Sequence, residues 1–137
     1  EPAKGGEPVL IALRRQIERV GSRSTVAFLG DNLYPEGLPS PDHPEHAEML
    51  RRLDDQVDAV RDTGARVVFI PGNHDWAKDG PDGWEAVRRQ EKRVEERGGK
   101  SVSFLPNDGC PETTTDRSAS GVAKPESCRR RFAWTSA

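Results

Sequence analysis

Two short segments of the chain concentrate residues able to bind metal ions. The first is Gly30-Asp31-Asn32-Leu33-Tyr34 and the second is Pro71-Gly72-Asn73-His74-Asp75-Trp76. Asp31 offers a hard carboxylate, which binds one cation or bridges two. Asn73 offers a neutral carbonyl oxygen, and His74 an imidazole. Oxygen and nitrogen donors without thiolate suit Mn²⁺, iron or Zn²⁺, with Mg²⁺ also compatible. Gly30 and Gly72 allow the backbone to turn sharply beside an ion or a phosphate. A Gly-Asp pair after a strand is commonly a turn or a helix N-cap. The weight therefore rests on finding both segments at matching places in the chain.

Those places are the ends of two apolar runs. Thr25-Val26-Ala27-Phe28-Leu29 leads into the first segment and Val67-Val68-Phe69-Ile70 into the second. Both runs are too short for helices and unbroken by polar residues, as expected of parallel strands buried on both faces. Between them, after a Pro-rich loop over 32–44, Met49, Leu53, Val57 and Val60 recur at helical spacing from about Glu45, with Asp54, Asp55 and Asp58 mainly off that face, until Gly64. Strand, helix, strand is a βαβ unit, so the strands are parallel and Asp31 and Asn73 project from one sheet edge, where open α/β sheets bind ligands. A helix over 7–20 precedes this unit, with Val9, Leu13, Ile17 and Val20 on one face and Leu10 widening it, and Gly21 at its end. A helix over about 83–97 follows, with a thin stripe of Trp84, Val87 and Val94. Its charges, including Arg88, Arg89, Lys92, Glu95 and Glu96, read as solvated. A short strand over 102–105 and a turn at 106–109 close the patterned region.

Composition narrows the class. The chain has 137 residues, with Lys+Arg 21 against Asp+Glu 23 and a net charge of −2. That near balance argues against a general nucleic-acid binder. No apolar run approaches the roughly 18 residues of a membrane span. Cys110 and Cys128 could pair or remain free, and neither lies in a metal-binding spacing. From Pro111 onward the apolar pattern dissolves, and the adjacent Arg129, Arg130 and Arg131 read as solvated. The expected organisation is a domain over 1–110 and an irregular or disordered tail over 111–137, whose composition also fits a non-native ending.

Gly30-Asp31-Asn32-Leu33-Tyr34 followed by Gly72-Asn73-His74-Asp75 resembles the calcineurin-like metallophosphoesterases, and the Asp-Asn-x-Tyr form looks most like their purple acid phosphatase branch. The resemblance covers roughly 9–110. It implies an α/β chain that forms part of a layered β-sandwich flanked by helices, with the parallel βαβ unit at its centre. It also implies hydrolysis of phosphate esters, on small molecules or phosphoproteins, at a dinuclear site holding two divalent or trivalent ions of iron, manganese or zinc. On that basis Asp31 would bridge both ions, Asn73 would ligate the second, and Tyr34 would ligate a ferric ion. His74 would act on the substrate phosphate, and Asp75 would hold its imidazole in orientation.

The same family pattern begins with an Asp-x-His motif on an earlier strand and continues into Gly-His and Gly-His-x-His motifs. The three histidines here are His43, His46 and His74. His43 and His46 lie between the two recognised segments, outside the family's order. The resulting expectation is a central piece of such a domain, carrying only part of the ligand set. The alternative is a catalytically inactive domain of the same fold that serves as an interaction module. A Rossmann-like nucleotide binder has little support, since neither Gly-x-Gly-x-x-Gly nor a P-loop is found.

Overall fold

The computed structural model describes residues 7–105. The turn at 106–109, Cys110, Cys128, the arginines at 129–131 and the tail over 111–137 lie outside those residues, and so does the expected boundary at 110. The alternation of periodic and apolar segments becomes helix α1 (Pro8–Val20), strand β1 (Thr25–Phe28), helix α2 (His46–Val60), strand β2 (Arg66–Phe69), helix α3 (Gly83–Gly98) and strand β3 (Val102–Phe104). The strands form one parallel sheet in the order β1-β2-β3, an α/β arrangement. Val26 pairs with Val67 and Phe28 with Phe69, while Val67 pairs with Val102 and Phe69 with Phe104.

This register puts Val67, Phe69, Val102 and Phe104 on one sheet face, all buried, with Phe28 stacked on Phe69 at 4.1 Å between ring centroids. They join one apolar cluster with Ile17 of α1, Leu53, Val57 and Val60 of α2, and Val87 and Val94 of α3. Burial on both faces, expected from the unbroken apolar runs, is not what the strands show. Thr25, Ala27 and Arg66 on the reverse face are exposed, and Leu29, just past β1, is 81% exposed. Side chains alternate between faces in a strand, and the described helices join the cluster on one face only.

Polar contacts join the helices outside the cluster. Arg14 of α1 donates to the Asp58 carbonyl of α2 at 2.8 Å. Arg93 and Arg97 of α3 make two-pronged pairs with Asp54 and Asp58 of α2, at 2.6–2.8 Å. Asp54 and Asp58, off the apolar face of α2, are thus interhelical anchors. Each pair is planar and bidentate but still partly solvated, which limits its value to that of a strong surface pair. Asp54→Ala is expected to cost about 1 kcal/mol in urea denaturation, and less at about 1 M salt.

Candidate functional site

The ends of β1 and β2 lie side by side, since the Ile70 N–H donates to the Phe28 carbonyl at 3.0 Å. The two segments leaving them are joined directly. The His74 N–H donates to Asp31 Oδ1 at 3.1 Å, and the Tyr34 hydroxyl donates to Asp31 Oδ2 at 3.1 Å. Asp31 therefore sits at the meeting point of both segments, as their positions at neighbouring parallel strand ends require. The side chain of Asn73, on an exposed residue, makes no hydrogen bond to another described residue.

Glycine makes this approach possible. A Cβ on Gly72 would overlap the Asp31 carboxylate and come within 2.5 Å of the Asp31 nitrogen. A Cβ on Gly30 would come within 2.8 Å of the Gly72 backbone, and its φ of +100° lies where side-chain-bearing residues are rare. Asp31 itself adopts φ +52°. The two backbones pass at a distance that only a pair of glycines admits.

Asp75 is fully buried, at 0% exposure. Its Oδ2 accepts from the N–H groups of Gly72 at 2.9 Å and Asn32 at 3.0 Å, and from Asn32 Nδ2 at 3.2 Å. Its Oδ1 accepts from the Leu33 N–H at 3.1 Å. Burial outweighs these N–H bonds and, with the nearby Asp31 charge, holds the carboxyl above the ordinary aspartate range. The family resemblance makes the His74 imidazole the expected partner of this carboxylate. Instead, His74 Nδ1 lies 2.7 Å from the Pro35 carbonyl, and the ring packs on Tyr34 at 4.2 Å between centroids. A carbonyl only accepts, so Nδ1 carries the proton and a neutral ring keeps Nε2 as its free acceptor. The backbone explains the exchange: the turn points the Asp75 side chain inward to the loop amides, and the imidazole outward to the Pro-rich loop.

That loop is anchored rather than free. Leu33 and Leu38 are buried in the core, at 1% and 2% exposure. Gln56 of α2 donates to the Asn32 carbonyl at 2.8 Å, and Arg89 of α3 to the Leu38 carbonyl at 2.9 Å. Arg89 is thus a loop anchor rather than a merely solvated charge. Asn32 also donates to the Ile70 carbonyl at 3.0 Å, fastening the first segment to the end of β2. Asn32 lies within the first motif segment, whereas Gln56 is not marked out by motif spacing; position beside an apolar helical face is the signal it carries. His43 and His46 serve the start of α2, where His43 Nδ1 accepts from the Glu45 N–H and His46 Nδ1 lies 2.8 Å from the Pro39 carbonyl.

The donors that meet at the two segments are the Asp31 carboxylate and the Tyr34 phenol, while the Asn73 amide belongs to an exposed residue. Hard oxygen donors of this kind fit a divalent or trivalent ion. Donation to Asp31, with the charges of Asp31 and Asp75, raises the Tyr34 pKa, so the phenol is held in its neutral form here. The fit is partial: among the described residues no group of three or more His, Cys, Asp or Glu is placed to hold an ion.

Residues 3–121 match the family model described as calcineurin-like phosphoesterase. Comparisons with curated proteins and with solved structures gave no match. The matched span contains the helix that crosses between the strands and both strand-end segments, which meet at Asp31. On that match the chain belongs to the calcineurin-like phosphoesterase family, whose activity is metal-dependent hydrolysis of phosphate esters.

Proposed function

We propose that this chain carries the central motifs of a dinuclear metal site that hydrolyses phosphate esters, with the character of the purple acid phosphatase branch. The observation that supports this most is the direct bond from the His74 N–H to Asp31 Oδ1, which draws both segments to one point. In this reading Asp31 would be shared between the two ions, Asn73 would hold the second, and Tyr34 would supply the donor that favours ferric iron. Bound ions supply charge neutralisation on the transferring group and a nucleophile near neutral pH. The chain's own part is positional. Asp75 fixes the two segments to each other, and the Pro35 carbonyl fixes the imidazole, whose Nε2 side then faces the substrate phosphate. On a phosphate ester, a protonated Nε2 stabilises the transferring group or protonates the departing oxygen. The ligand set supplied by Asp31, Asn73 and Tyr34 is incomplete for two ions, so the 137 residues by themselves are expected to turn over little substrate.

The test is hydrolysis of an aryl phosphate, with iron, manganese or zinc supplied, by a protein in which the ligand set is complete. His74→Ala is expected to lower kcat roughly a hundredfold with metal content unchanged. Full activity in that variant removes the role given to His74. Tyr34→Phe tests the branch, since it removes the visible absorption of an iron–phenolate pair. A protein that retains no metal and binds no phosphate fits the non-catalytic interaction module instead.

A further inference from the structure

The buried face of α3 carries one side chain unlike its neighbours. Gln90 is 0% exposed, on a face otherwise made of Gly83, Ala86, Val87, Val94 and Gly98. Its Nε2 donates to the Asp75 carbonyl across 3.4 Å. That contact settles the orientation of the amide, because turning it over would set Oε1 against another oxygen. The same nitrogen lies against the Pro-rich loop, where a Cβ on Gly37 would be 3.0 Å from it and 2.6 Å from the Asp75 carbonyl oxygen. Gln90 Oε1 has no hydrogen-bond partner among the described residues. A buried acceptor without a partner costs free energy that an apolar side chain of the same size does not. Packing by itself therefore favours methionine or leucine at this position, and the bond to Asp75 is what the amide adds.

We propose that Gln90 is a positioning residue. From α3 it holds the main chain of the 72–75 turn, with the Pro-rich loop pressed against it at Gly37, so that Asn73 and His74 keep a fixed relation to Asp31. Asp75 is then gripped at both ends. Its carboxylate takes the loop N–H groups, and its carbonyl takes the Gln90 amide. The purpose of this geometry rests on the phosphoesterase reading, but the geometry does not.

Gln90→Met keeps the volume while removing both the donor and the orphaned acceptor. The expected result is a thermal midpoint at or above that of the wild type. At the same time the amide hydrogens of Gly72, Asn32 and Leu33 exchange about tenfold faster or more, and those of Val67 and Phe69 in β2 do not change. In a metal-loaded protein with turnover, kcat falls while global stability holds. If a protein with the complete ligand set shows no metal-dependent turnover, the phosphoesterase reading fails and the loop amides alone judge the positioning role. Unchanged exchange at those three amides overturns the proposal. So does a lowered midpoint with uniformly faster exchange, the mark of simple core loss. Gln90→Leu is the second variant, and failure of both isosteres to fold counts equally against a role confined to the loops.

Discussion

Replacing Asp75 by alanine is expected to lower the unfolding free energy by about 4 kcal/mol, enough to leave a domain of this size close to unfolded. The carboxylate accepts from three backbone N–H groups and one side-chain amide, and Asp75 is fully buried. Alanine leaves the three backbone N–H groups without this partner, while Asn32 Nδ2 keeps the Ile70 carbonyl. Asp75→Asn is milder, at about 2 kcal/mol, because one oxygen survives while the new amide nitrogen faces an N–H donor. Urea denaturation of both variants measures the order. The pH dependence has a definite sign. The Asp75 pKa is raised on folding from its ordinary 3.8, so the folded state binds the proton more tightly than the unfolded chain. Its contribution is full below the ordinary value and is partly lost as pH rises through the raised one. The stability advantage of the wild type over Asp75→Asn is therefore expected to narrow from about pH 4 upward, then to stay constant. An advantage that widens over the same range reverses the sign assigned to Asp75.

Gly72→Ala is the second large effect, at about 3 kcal/mol. The added methyl overlaps the Asp31 carboxylate and approaches the Asp31 nitrogen to 2.5 Å, and neither group can withdraw freely. Asp31 is held by the His74 N–H and the Tyr34 hydroxyl, and its backbone already sits at φ +52°. Relief therefore comes by spreading the two strand ends, which separates Asp31 from His74. Denaturation gives the cost, and the backbone amide resonance of His74 reports the separation. A Gly72→Ala protein with wild-type stability and an unmoved His74 amide excludes this close approach in solution.

Most of the architecture is legible before folding. Met49, Leu53, Val57 and Val60 record the buried face of α2 because a helix repeats every 3.6 residues. Val67 and Phe69 mark β2 because a short apolar run has few other uses. The neighbourhood of Asp31 and His74 is legible too, since a single crossover helix makes their strands parallel and places both loops at one edge. The second face of the strands is less legible. An apolar run states that side chains tolerate burial, not that another layer covers them, and Leu29 remains 81% exposed.

The supporting residues were not legible, and their chemistry explains why. Gln56, Arg89 and Gln90 act on carbonyl oxygens of Asn32, Leu38 and Asp75, and every residue offers a carbonyl. No residue type at the receiving end marks such a bond in advance. Asp75 shows the same limit from the other side. Its neighbour His74 is one residue away, yet its carboxylate turns to the Gly72 N–H and to amides at Asn32 and Leu33, the latter two some 43 and 42 positions earlier in the chain. Local patterning accordingly determines which donors exist, which elements carry them and which edge they occupy. The folded chain decides which donor meets which acceptor, because that depends on the approach of two backbones at Gly30 and Gly72 and on the inward turn of a single side chain.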